Sequence, residues 1–76
     1  MKNVREILIA IRPESDFDAS ADFIADGLLD SFDVVALVSD LDAAYGISID
    51  GTDILPEHFS SVAAIEALLR KYGVQQ

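Results

Sequence analysis

Apolar residues in this chain fall into three helical stripes separated by stretches without a period. Val4, Ile7, Leu8 and Ile11 recur at the i, i+3, i+4, i+7 spacing of one helix face. Asn3 is placed to cap that helix, and Pro13 stops it at or just before Arg12. Val34, Leu37, Val38, Leu41 and Tyr45, with Ala44 beside them, predict a longer helix over 31–45. Asp30 or Ser31 suits its N-cap, the carboxylates of Asp30 and Asp33 suit the positive end of its dipole, and Gly46 provides the stop. Val62, Ile65, Leu68, Leu69 and Tyr72 predict a last helix, capped by Ser60 or Ser61 and closed by Gly73. Glu66 and Arg70 stand at the favourable i, i+4 spacing on it, and Arg70 and Lys71 suit its negative end.

The connecting stretches read differently. Residues 14–30 show no sustained period, so Phe17, Phe23, Ile24, Leu28 and Leu29 are expected to pin a long first loop, with a turn of helix near Ala19 to Phe23. Gly27 is expected in a conformation that a side chain would penalise. Ile47-Ser48-Ile49 alternates too briefly to build a sheet, and Asp50-Gly51 reads as a turn. A short helical piece is expected from Asp53 to His58, with Pro56 in its first turn. The prediction is an all-α fold: one domain over 1–76, a small antiparallel bundle of three main helices plus one short helix.

Composition narrows what such a bundle does. The chain has 76 residues, half of them apolar, a net charge of −9 and no cysteine. Disulfides, zinc–thiolate sites and cysteine nucleophiles are therefore excluded. The five basic residues, Lys2, Arg5, Arg12, Arg70 and Lys71, lie towards the two ends, and every acidic residue except Glu6 lies between Pro13 and Leu69. Such a body repels nucleic acid and anionic membrane surfaces and attracts partners with basic patches. The first residues lack a signal peptide's apolar segment, and no apolar run is long enough to cross a bilayer. A soluble, cytoplasmic, monomeric protein is the expectation.

The predicted helix over 31–45 has a second face, with Phe32, Val35, Ala36 and Ser39 flanked by Asp33, Asp40 and Asp42. An apolar patch inside an acidic rim suits partner docking; the competing reading folds Phe32 back over the core. Catalysis is hard to assemble. Ser31 would need a base, and the sole histidine, His58, lies on a short polar segment with no orienting partner. No pair of carboxylates has an apolar setting that would separate their pKa values. Asp18, Asp22 and Asp26 recur every four residues without a closing Glu, which is not the spacing of a calcium loop. Ser31 itself has two readings: a plain N-cap, or a first-turn serine carrying a phosphate group at the positive end of a helix.

Gly27-Leu28-Leu29-Asp30-Ser31-Phe32 and Pro56-Glu57-His58-Phe59-Ser60-Ser61-Val62, with the helix between them, resemble the acyl carrier proteins and the related peptidyl carrier domains. The resemblance spans essentially the whole chain. It implies that Ser31 is esterified with 4′-phosphopantetheine, transferred from coenzyme A by a separate phosphopantetheinyl transferase using magnesium. The arm's thiol would then hold an acyl or aminoacyl group as a thioester, and the chain itself would catalyse nothing. It further implies that Asp30, Phe32, Asp33 and Val35 contact the transferase and the loading and acyl-using enzymes. Phe32 departs from the leucine usual in fatty-acid carriers, and Asp40 and Asp42 stand among alanines instead of runs of Glu. That favours a specialised lipid, polyketide or nonribosomal pathway over a housekeeping fatty-acid carrier. A D-alanyl carrier also tolerates an aromatic there, although the Pro-Glu-x-Phe entry to the last helix does not suit one. Outside the family, an interaction-only acidic bundle and a small cation-binding protein are the competing classes.

Overall fold

The computed structural model describes residues 3–74, and in it the three stripes become three helices. Helix α1 spans Val4–Ile11, α2 Ser31–Tyr45 and α3 Val62–Lys71. Asn3 caps α1 by accepting the Glu6 N–H at 2.8 Å. The helix stops at Arg12, whose backbone leaves the helical region ahead of Pro13. Asp30, not Ser31, caps α2, and Ser61, not Ser60, caps α3 by accepting the Ala64 N–H at 3.0 Å. Gly46 ends α2 in the left-handed region at φ 64°, where a side chain would be strained.

Helix α1 packs against both α2 and α3. The core between them gathers Val4, Ile7 and Leu8 from α1, Leu37, Val38 and Leu41 from α2, and Ile65, Leu68 and Leu69 from α3. Val34, Tyr45, Val62 and Tyr72, members of those stripes, are half-buried and pack against its margin. Each fully buried Leu or Phe contributes about 1.5–3 kcal/mol, which is how a chain this short holds together without a disulfide.

The long first loop is pinned by its aromatics. Phe17 and Phe23 are buried, with ring centroids 5.0 Å apart in an edge-to-face contact. The Phe23 N–H donates to the Ser60 carbonyl at 2.7 Å, and its carbonyl accepts from the N–H groups of Leu28 and Leu29. The expected helical turn lies at Phe17–Ala19 as a 3-10 turn rather than at Ala19–Phe23. Burying both rings draws the intervening chain out, and Ser20 is extended. Gly27 takes φ 74°, as its place in the loop required.

The expected short helix takes the form of 3-10 turns only. Two separate 3-10 turns occupy the region, Gly51–Asp53 and Pro56–His58. Leu55, held extended as the residue before a proline, separates them. Ile47–Ile49 is not a strand; it is held by the Asp42 carboxylate, which accepts the Ile49 N–H at 3.0 Å.

One buried carboxylate closes the fold. Asp53 accepts Lys71 Nζ at 2.7 Å and the hydroxyl of Tyr72, while the Tyr72 oxygen accepts the Asp50 N–H at 2.9 Å. The Lys71 and Tyr72 hydrogen bonds hold the Asp53 carboxyl below its ordinary pKa. The same contacts with Asp53 raise Lys71 and Tyr72. Glu66 and Arg70 form no ion pair with each other. Holding two exposed side chains together costs about as much as such a pair gains. Among the described residues no helix is long and apolar enough to cross a membrane.

Candidate functional site

The start of α2 is built by reciprocal hydrogen bonds between two aspartates. The Asp30 carboxylate accepts the Asp33 N–H at 2.9 Å, and the Asp33 carboxylate accepts the Asp30 N–H at 3.2 Å. Because Asp30 does the capping, the Ser31 side chain is left without that duty. Its hydroxyl is exposed and makes no hydrogen bond among the described residues. The N–H groups of Ser31 and Phe32, the first two of the helix, also have no acceptor. A hydroxyl beside two free donors at the positive end of a helix fits a phosphate ester.

Arg12, at the end of α1, is drawn to the same corner. Its Nε donates to Asp33 at 2.7 Å, while its two terminal nitrogens lie 3.4 Å from Asp30 and 3.3 Å from Glu14. Burial pushes the Asp33 carboxyl up, but the Asp30 backbone N–H and the Arg12 guanidinium outweigh it and leave it below the ordinary value. The Arg12 guanidinium is raised, first by its hydrogen bond to Asp33 and then by that to Glu14.

Phe32 is 85 % exposed and Val35 64 % exposed, so neither folds back over the core. Of the four residues expected to meet partners, Asp30, Phe32 and Val35 are exposed, whereas Asp33 is half-buried beneath Arg12. Beside Ser31 lies a groove of about 310 Å³, lined by Ile24, Val34, Val35, Ile54, Leu55 and Pro56. Asp30 and Ser31 also line it.

Among the described residues no side chain is hydrogen-bonded to the Ser31 hydroxyl. His58 is half-buried on its 3-10 turn and makes no hydrogen bond to Ser31. The spaced aspartates of the loop have separate partners. Asp18 pairs with Arg5, Asp22 accepts the N–H groups of Ile24 and Ala25 at 3.0 Å, and Asp26 accepts the Ser20 hydroxyl. Among the described residues no three acidic or histidine side chains gather as a metal site. Sequence reasoning missed Arg12 and the groove. A lone arginine facing an acidic stretch was the available signal for the first; the second is shared among segments with no common pattern.

The family model for the phosphopantetheine attachment site matches residues 3–69. No curated protein and no solved structure matches the chain. A match that runs from Asn3 through α1 and α2 into α3 shows that this chain belongs to the phosphopantetheine attachment family, whose cofactor is covalently bound 4′-phosphopantetheine.

Proposed function

We propose that this chain is a non-catalytic carrier whose 4′-phosphopantetheine is esterified to Ser31. The observation that carries this reading is the unbonded Ser31 hydroxyl, freed from capping by Asp30 and set beside the unpaired N–H groups of Ser31 and Phe32. When bound, the group supplies a thiol on a mobile arm, on which an acyl or aminoacyl cargo is held as a thioester. The chain's own residues do the rest. The free N–H groups and the helix dipole favour the phosphodiester charge. The walls of the neighbouring groove offer the arm an apolar surface. Asp30, Phe32, Asp33 and Val35 form the surface that the transferase and later enzymes meet, an apolar step inside an acidic rim. Phe32, exposed and aromatic, supports a carrier serving a specialised lipid, polyketide or nonribosomal pathway in the cytoplasm, with a partner that has a recess for the ring.

The test is incubation of the full chain with coenzyme A, magnesium and a broad-range phosphopantetheinyl transferase. One added phosphopantetheine by mass, absent from Ser31→Ala, is the expected result. No addition to the folded parent, or equal addition to Ser31→Ala, would sink the reading in favour of an interaction-only bundle or another attachment residue.

A further inference from the structure

Arg12 is the one cation, among the described residues, that ion-pairs with Asp30 or Asp33. The Asp33 side chain is only 15 % exposed, against 57 % for Asp30, and its Oδ2 already receives both Arg12 Nε and the Asp30 N–H. We propose that Arg12 is a specificity-determining residue, an internal competitor that withholds Asp33 from the basic groups of partner enzymes until one of them displaces it. The proposal rests on the reading of Ser31 as the attachment site.

The physical basis is competition between a tethered cation and a free one. Arg12 is anchored at the end of α1, so its effective concentration at Asp33 is high, and a partner lysine gains little by replacing it. Its planar fork also spans Asp33, Asp30 and Glu14 together, which a single ammonium cannot reproduce. A partner that relies on charge alone therefore meets a partly neutralised rim at the point nearest Ser31. A partner with a recess for Phe32 and Val35 meets an open apolar step, whose contacts do not depend on moving Arg12. Selectivity then comes from a built-in cost against the wrong partner as well as from attraction to the right one. Asp40, exposed on the same helix and without an ion-pair partner among the described residues, remains open to any basic surface.

The experiment is steady-state transfer from coenzyme A to the full chain at several salt concentrations, for the parent, Arg12→Gln, Asp33→Asn and the double variant. Arg12→Gln is expected to lower KM by about two- to fivefold, the range over which exposed ion pairs act. Its KM should also rise more steeply with salt, because a newly bared carboxylate is screened. Both changes should shrink in the double variant, where losing Arg12 bares only Asp30 and Glu14. A KM that stays the same or rises in Arg12→Gln, or falls equally when Asp33 is Asn, overturns the proposal. Should Arg12→Gln fail to fold by circular dichroism, Arg12→Lys, which keeps the charge and loses the fork, is expected to lower KM by less. A second readout needs no transferase. Titrating a tetra-arginine peptide into the labelled chain should move the Asp40 amide resonance in the parent and leave Asp33 still, whereas in Arg12→Gln both should move. Equal movement of Asp33 in parent and variant overturns the proposal even where the parent proves to carry no phosphopantetheine, so the two readings fail separately.

Discussion

Two carboxylates in this small bundle are held in the same way and serve opposite ends. Asp33 and Asp53 have side chains only 15 % and 13 % exposed, and each grips a basic residue about twenty positions away in sequence. Around Asp53 the polar groups pair with one another: Lys71 and Tyr72 both donate to it and Tyr72 in turn holds the Asp50 N–H, while Phe59, at the end of the Pro56–His58 turn, is fully buried. Around Asp33 the neighbourhood is left unfinished. Arg12 is divided among three carboxylates, the Ser31 hydroxyl and two N–H groups have no partner, and Phe32 stands in solvent. An ion pair therefore does not say whether a region braces the fold or presents a surface. What its neighbours leave unsatisfied does, because a brace gains from saturation and a landing surface from open valences.

The two phenylalanines give that contrast its widest test. Phe59→Ala should cost about 3–5 kcal/mol in urea unfolding, the range for truncating a buried aromatic. That is a large share of what a domain of this size possesses. A loss similar to that of a surface substitution would mean that the Phe59 end is no brace. Alkaline pH separates the ends more finely. Lys71 and Tyr72 are raised above their ordinary values of 10.5 and 10.0, so their contribution is fully present below those values and lost as pH climbs through the higher folded ones. Arg12, raised above its ordinary value, keeps its charge throughout. Above about pH 10, where tyrosine and lysine begin to titrate, the methyl resonances of Ile54 should shift before those of Val34. Simultaneous movement would break the distinction. Acid does not discriminate: Asp33 and Asp53 are both lowered, so both contributions persist down to the ordinary aspartate range and fade as pH falls through the folded values. Phe32→Ala should have the smallest effect on stability, within about 0.5 kcal/mol, while raising the KM for transfer. A collapse of helicity in that variant would return Phe32 to the core.

Local signals carried the helices well and the braces hardly at all. The stripes of α1, α2 and α3 could be read because helix period, caps and stops are written within a few residues of one another, as with Asn3, Asp30 and Gly46. The 3-10 turns could not be placed as securely. Three residues carry no period, and Leu55 breaks the region for a reason that lies in Pro56 rather than in any pattern. The Arg12–Asp33 and Lys71–Asp53 pairs join residues 21 and 18 positions apart, and nothing near either partner announces the other. The exposure of Ser31 could be anticipated from its place at a helix start, but which of two adjacent residues would cap was a matter of geometry. The groove drew its walls from the first loop, α2 and the stretch before Pro56, and only the folded chain brings them together.

That division between Asp30 and Ser31 has a consequence for the working cycle. Helix α2 draws its starting hydrogen bonds from Asp30 and Asp33, and the atom that would bear the arm contributes none of them. On the proposed attachment, loading and unloading that atom would break none of these capping bonds. An enzyme that, on that attachment, must tell a loaded carrier from a bare one has to read the passenger rather than the start of α2.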